Sequence, residues 1–309
     1  MGDAIVIRQL GETDAEAIIA LYAQAAAVEP RLGPITLSQW QRFTKLPQNN
    51  ENRDFRVAEQ DGDLVGLAES SLRIHGTLRS RFLKIVVAPK ARRRRIGLLL
   101  FDAVLAVDDP NGDISVMTLV DPEWHAGMAF ASALGFTHVE SEISMKCTEP
   151  MQPARTRDRV AIERAGDAAA HAAQVARIHN LAYAGNTSFR PYSAAEMALV
   201  LDDYELWIVS EDDQIAGFCL AEPEQEALWI ESIAVDPAKQ ARGLGQTLLY
   251  HVLDAHAVSA NYACWLNASS RNPPALSMYR HLGFKPQHET CRLSATRREL
   301  IASRDRRFR

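Results

Sequence analysis

The chain has 309 residues, 47% hydrophobic and 24% charged, enough for two ordinary globular domains with a sizeable core. A formal net charge of −5 excludes any general attraction to nucleic acid or an anionic membrane, and no apolar run approaches the roughly 20 residues that span a bilayer. Met1-Gly2-Asp3-Ala4 lacks the order of a secretory leader, so a cytoplasmic protein is expected, and Cys147, Cys219, Cys264 and Cys291 show no CxxC spacing and read as reduced, buried thiols.

In chain order, residues 4–10 read as a strand, 12–28 as an alanine-rich amphipathic helix and 37–44 as a second short helix. Phe55 to Glu59, the turn Asp61-Gly62-Asp63 and residues 64–72 form a hairpin signal, and a strand at 83–87 ends at Pro89. Helix 96–107, strand 114–120, helix 124–134 and strand 136–147 complete the first half. Residues 149–158, with two prolines and mixed charge, are the expected linker between domains at 1–148 and 159–309.

The second half repeats this order: strand 159–164, helices 167–183 and 193–201, hairpin 205–222 and strand 227–235. Helix 244–258, strand 261–267, helix 273–282 and strand 286–293 follow. Val87 matches Val235, Pro89 matches Pro237, Gly97 matches Gly245 and Leu134-Gly135-Phe136 matches Leu282-Gly283-Phe284, all at one interval of 148 (235−87; 284−136). The chain is therefore a duplication. Its last segment, 296–309, is rich in arginine and reads as a basic helix or a tail.

One stretch organises the second half. Trp229, Ile233 and Val235, with Glu231 among them, alternate with Ile230, Ser232 and Ala234 on the opposite face, and Asp236-Pro237 ends the strand. Gln240-Ala241-Arg242-Gly243-Leu244-Gly245-Gln246 then opens a helix with apolar positions at 244, 248, 249 and 252. A helix that starts inside a glycine loop presents its free N–H groups and the positive end of its dipole together, which makes an anion cradle. Gln240 and Arg242 are expected to add side-chain donors at its rim. Neither a Walker ending nor GxGxxG is present. Downstream, Asn272 suits an N-cap and Pro273 the first helical position, Asn272, Ala275, Leu276 and Tyr279 share one face, and Gly283 ends the helix.

Val-Asp-Pro followed by QxxGxG, with the Asn272-to-Tyr279 helix at the family's usual distance, resembles the GNAT superfamily of N-acetyltransferases. The tandem arrangement resembles the mycothiol synthases in architecture. The resemblance implies an α/β (α+β) fold of two tandem GNAT-type domains, each a mixed, mostly antiparallel central sheet flanked by helices. It implies acetyl-CoA as co-substrate, without a metal, and direct attack by an amine. Tyr279 then stands where the family carries its general acid, and the backbone of Ile233, Ala234 and Val235 would polarise the thioester. The loop Gln240, Arg242, Gly243, Leu244, Gly245 and Gln246 would hold the diphosphate, and Asn267 and Asn272 would contact the rest of the cofactor.

The residues leave alternatives open. Glu231 is the base candidate or a strand-end glutamate meeting solvent, with Glu222 and Glu226 nearby. Tyr279 is the acid or a packed helix tyrosine; Asn267 contacts pantetheine or ends its strand; Asn272 contacts CoA or caps its helix. His251, His256, His281 and His288 show no metal spacing, and Trp207, Trp229 and Trp265 read as core, with Trp229 available to line an acceptor cleft. In the first half Arg95 stands where Gly243 stands in the second, Ala131 replaces Tyr279 and Trp124 replaces Asn272, so this copy is expected to be catalytically silent. Its Arg92-Arg93-Arg94-Arg95 run holds CoA phosphates, another polyanion or only solvent. The expected activity is acetyl transfer to a primary amine of a small molecule. A protein N-terminus or lysine as acceptor, and a non-catalytic CoA sensor or scaffold, are the alternatives.

Overall fold

The computed structural model describes residues 4–29, 32–45, 49–75, 78–107, 113–152, 160–184 and 191–307. Within the expected linker 149–158, residues 153–158 lie outside the described residues. The chain forms two units, Met1–Val139 with Arg292–Arg309, and Glu140–Cys291. These bounds differ from the expected 1–148 and 159–309, because the strand after each half's last helix is counted with the other half.

The first unit contains β1 (Ile5–Gln9), α1 (Ala15–Ala26), α2 (Leu37–Lys45), a single turn α3 (Glu51–Asp54), β2 (Phe55–Gln60), β3 (Asp63–His75) and β4 (Leu78–Val87). It continues through α4 (Ile96–Leu105), β5 (Ser115–Val120), α5 (His125–Leu134) and the first residues of β6 (Thr137–Cys147). Its strands run β1-β2-β3-β4-β5, antiparallel except for β4 and β5. The sheet is then completed by the last residues of a distant strand, numbered β12 below (Lys285–Thr296), where the hydroxyls of Ser115 and Ser294 lie 3.0 Å apart. The arginine-rich segment is a helix (Arg297–Arg307), numbered α10 below, with Leu300 fully buried and Arg304 paired to Asp102 at 2.8 Å.

The second unit takes Glu140–Cys147 of β6, which pairs antiparallel with β11 (Ala263–Ser269) from Cys264↔Cys147 to Ser269↔Glu142. Its other elements are β7 (Val160–Arg164), α6 (Ala172–Ala182), α7 (Ala194–Leu201), β8 (Glu205–Glu211), β9 (Gln214–Pro223) and β10 (Ala227–Val235). α8 (Leu244–Ala255), α9 (Pro273–His281) and the start of β12 complete it, with α10 closing the chain in the other unit. The strand order is β6-β11-β10-β9-β8-β7. Apolar clusters cover both faces: α8 and α9 pack Leu248, Leu249, Val252 and Leu276 on one, and α6 and α7 pack Val175, Ile178, Met197 and Leu201 on the other. Each such fully buried aliphatic side chain contributes about 1.5–3 kcal/mol. Among the described residues no helix is long and apolar enough to cross a membrane.

The interval of 148 holds from the end of the central strands onward: α4 and α8 start at Ile96 and Leu244, β5 and β11 at Ser115 and Ala263, α5 and α9 at His125 and Pro273. One interruption overturns the expected phase of the central strand. β10 carries a register shift between Ile230 and Ser232 against β9, so Ile230 and Leu228 share the α8 side with Ile233 and Val235, while Ala234 joins the α6 side. Ile230 and Ile233 were expected on opposite faces; an extra residue between them returns the strand to the same face.

Gly283 ends α9 in a conformation with φ +95°, and a Cβ there would lie 2.4 Å from the carbonyl oxygen of Glu149. Left-handed strain and a backbone clash act together, so Gly283→Ala is expected to cost about 2–4 kcal/mol, read as a fall in the urea midpoint with an unchanged slope.

Candidate active site

The glycine loop has the conformation an anion cradle needs. Ala241 and Gly243 both take positive φ, 58° and 80°, and α8 starts at Leu244 with no side chain capping its first amides. Nothing lies within 4 Å of where a Cβ on Gly243 would stand, so the space over these N–H groups is open. Gly245 has a different task, since its missing Cβ would sit 3.4 Å from Met278 and Val235, where α8 approaches α9 and β10. The expected rim donors are engaged within the protein. Gln240 Nε2 donates back to the Val235 carbonyl at 3.0 Å, and Arg242 donates to Glu211 at 3.2 Å and to the Ala238 carbonyl at 3.3 Å. Asp236 fixes the turn before the loop by accepting from the Ala238 N–H at 3.0 Å and from Arg177 at 2.8 Å. The first of these, with the Arg177 charge, holds its carboxyl below the usual range.

Beside the loop, two strands part. β10 pairs in parallel with β11 only from Ala227↔Ala263 to Ile230↔Leu266; beyond that, β11 continues to Ser269 along β6 and β10 continues to Val235 along β9. The Asp236 N–H donates to the Ala216 carbonyl of the β9 side, and alternation in an antiparallel pair then turns the Ala234 groups toward β9 and those of Ile233 and Val235 away from it. The amides of Ile233 and Val235 therefore face the gap left by β11. Ala234, expected to share this role, faces the other strand. Asn267 is exposed on β11 just past the last pair, at the edge of the same gap.

Tyr279 lies in α9, 7% exposed and edge-on to Phe284 at 5.9 Å. Asn272 caps that helix by accepting from the Ala275 N–H at 3.2 Å. Among the described residues the Tyr279 hydroxyl has no hydrogen-bond partner. Burial, with Tyr183 and Cys219 nearby, pushes its pKa up, so the phenol stays protonated through the neutral range. Tyr183, at the end of α6, reaches the gap from the opposite face: its hydroxyl donates to the Ile233 carbonyl at 2.9 Å and lies 3.2 Å from Ser232 Oγ.

Glu231 occupies the register shift. Its side chain reaches solvent, yet crowding by surrounding protein, with repulsion from Glu222 and Glu142, pushes its carboxyl up to about 7. Among the described residues it has no hydrogen bond or ion pair. Glu222 stands opposite Trp229, whose ring stacks on Trp265 at 5.8 Å, and Lys146 lies 5.1 Å over Trp265. Trp229 and Trp265, expected in the core, are half-buried on this face, while Trp207 is buried. Glu226 lies in the turn before β10, away from the gap. Sequence reading missed Tyr183, Ser232 and Glu142, none of which falls in a spaced motif. Cys147, Cys219 and Cys264 are buried free thiols, and among the described residues no three His, Cys, Asp or Glu side chains group as metal ligands.

A sequence profile described as the Acetyltransferase (GNAT) family matches residues 18–136 and again 173–284. The chain belongs to the GNAT acetyltransferases. It carries two tandem GNAT domains and is 29% identical to the mycothiol acetyltransferase of Mycolicibacterium vanbaalenii over 74% of this chain and 78% of that one. It is 34% identical to the ribosomal protein bS18-alanine N-acetyltransferase of Salmonella typhimurium, over 25% of this chain and about half (51%) of that enzyme. A tandem GNAT protein from the clavulanic acid biosynthesis pathway superposes with a TM-score of 0.71 at 16% identity, covering 95% of this chain and 99% of that one, a likeness of fold.

The first GNAT domain retains the backbone of the loop and loses its openness. Arg93 and Arg95 hold φ of 65°, matching Ala241 and Gly243, so side chains stand where the second domain has space. Arg92 is tied to the Val87 carbonyl at 3.1 Å and to Glu29, and its guanidinium lies 5.6 Å over Trp124. Ala131, 5% exposed, stands for Tyr279. β4 pairs with β3 without any register shift. Ser80 pairs with Ser115 where Ala227 pairs with Ala263, so the central strands are offset by 147 before the shift and their partners by 148 (227−80; 263−115). Glu231 is the added residue, and the first domain has no position equivalent to it.

Proposed function

We propose that the second GNAT domain moves an acetyl group from acetyl-CoA to a primary amine of a small molecule by direct attack, and that the first domain is catalytically silent. The observation that carries this reading is the gap between β10 and β11, which has two outward amides at its edge, a buried tyrosine ring with an unpartnered hydroxyl on one side and a carboxyl near neutrality on the other. The uncapped amides of α8 and the open space over Gly243 fit a diphosphate. In this reading Glu231 takes the proton of the acceptor ammonium, directly or through a water, and the free amine forms the C–N bond. The Ile233 N–H receives the charge that develops on the carbonyl oxygen. As the C–S bond breaks, Tyr279 gives its proton to the departing thiolate, and the second proton lost by the attacking nitrogen passes to solvent, from which Tyr279 is reprotonated. For the small acceptor, support comes from the mycothiol acetyltransferase likeness, which extends over most of both chains.

A protein N-terminus is the second reading, favoured by the shorter likeness to the bS18-alanine enzyme. Purified protein with acetyl-CoA should release free thiol with a panel of small amines and not with N-terminal peptides; the reverse pattern supports the peptide acceptor. Binding of acetyl-CoA without thiol release under either condition overturns the enzymatic reading in favour of a sensor.

Glu231→Gln should lower kcat/KM by about 10–100-fold and abolish the rise in rate as pH climbs through about 7. The sign of its stability effect is opposite. A carboxyl whose folded pKa is raised favours the fold below its ordinary pKa, and that advantage is lost as pH rises through about 7. The variant should thus be more stable than the parent at pH 8, by no more than about 1 kcal/mol for a solvent-reached group, and equally stable below about pH 4.5. Thermal melts at the two pH values check this.

A further inference from the structure

Where β11 leaves β10, the exposed edge of the central strand carries acceptors as well as donors. In a strand, the N–H and C=O of one residue point the same way, so the outward Ile233 N–H is accompanied by the outward Ile233 carbonyl. A bare carbonyl oxygen beside that amide would repel the negative charge that the amide is placed to receive, and it would be an unmet backbone acceptor in a sheltered gap. One side chain answers both problems. The Tyr183 hydroxyl donates to the Ile233 carbonyl at 2.9 Å and lies 3.2 Å from the Ser232 hydroxyl. These two contacts flank the Ile233 N–H, which sits in the peptide joining Ser232 to Ile233, one residue past the register shift where strand geometry is least constrained by ladder pairing.

We infer that Tyr183 is a positioning residue for acyl transfer: its hydroxyl masks the Ile233 carbonyl and pins the residues on either side of the Ile233 amide, so that this N–H alone meets the thioester oxygen. The inference rests on the acetyl-transfer reading above. Its geometry is specific to this side chain. The ring is held independently of the hydroxyl, 4.8 Å from His179 and against the α6–α7 cluster, so removing the oxygen leaves the packing in place. His179 cannot substitute as donor to the carbonyl in its charged form, because burial pushes its pKa down to about 4.

The test is Tyr183→Phe with acetyl-CoA labelled with 13C at the thioester carbonyl. In the parent protein the bound carbonyl stretch should shift to lower frequency than in water, as a polarised carbonyl does. In the variant that shift should shrink by half or more, kcat should fall about 10–50-fold, and the acetyl-CoA Kd should stay within about 2-fold. Replacing Tyr183 by a ring-fluorinated tyrosine, a stronger donor of nearly the same shape, should deepen the shift, which keeps the inference testable should the phenylalanine variant fail to fold. A folded variant with parental kcat and an unmoved carbonyl band overturns the inference, as does loss of acetyl-CoA binding in step with activity, which marks a merely structural role. Failure of the parent protein itself to bind acetyl-CoA sinks the underlying reading instead.

Discussion

Tyr279→Phe should slow thiol release from acetyl-CoA by about 100-fold or more and leave the Kd for acetyl-CoA within about 2-fold. Proton donation by a placed side chain contributes roughly 10²–10⁴ in rate, and the Tyr279 hydroxyl has no other described partner to serve. Its surroundings explain why the two effects separate. The ring is 7% exposed, packed against Phe284 and within the α8–α9 cluster, so phenylalanine keeps every apolar contact. Loss of a hydroxyl that pairs with nothing in the fold and is not shut off from solvent should leave stability about unchanged. A thiol-trapping assay and calorimetric titration read the two quantities. Equal rates in parent and variant would remove Tyr279 from the chemistry and leave it a packing residue.

Gly243→Asp should weaken acetyl-CoA binding by about 100-fold or more at low salt while the protein remains folded. Aspartate tolerates left-handed backbone, and this chain already places Asp61, Asp212 and Asp213 at φ of 55°, 53° and 58°. No atom stands within 4 Å of the new Cβ, so the fold accepts it. The cradle does not. A carboxylate about 5 Å from a phosphate charge costs ~3 kcal/mol at an effective dielectric near 20, beyond the space it takes from the approaching anion. Gly243→Asn, of the same shape and neutral, separates the two effects, and rising salt should narrow the gap between the variants. Unchanged affinity in the aspartate variant would mean that the diphosphate lies elsewhere.

The turns made the duplication legible. Pro89 and Pro237, each two residues past its central strand, the loop before α8 and Leu-Gly-Phe at the end of each last helix are fixed by backbone demands that side-chain chemistry announces, so one interval of 148 could be read directly. Tyr279 and the uncapped loop came with those turns. The added residue in β10 did not, because Glu231-Ser232 is a polar pair inside an apolar run and simple alternation absorbs it with the wrong phase. Nor does alternation name a strand's neighbour: it marks β6 as half-buried without saying that Glu140–Cys147 lies along β11. Gln240 and Arg242 have donors that suit an anion, and only the folded loop reveals that Val235 and Glu211 already occupy them. Tyr183 belongs to the same group, since one phenol at a helix end leaves no pattern.

The two halves differ at their centre in length, and this limits how one can be turned into the other. Exchanging side chains in the first half can install a tyrosine for Ala131 and a glycine for Arg95, yet a carboxylate put at Leu83 would enter a site only 4% open to solvent on an unbroken ladder. Only lengthening that strand by one residue would swing an acid out toward an acceptor. Conversely, removing a single codon from the second half would draw its strand straight, with Glu231 gone and Tyr279 still in place.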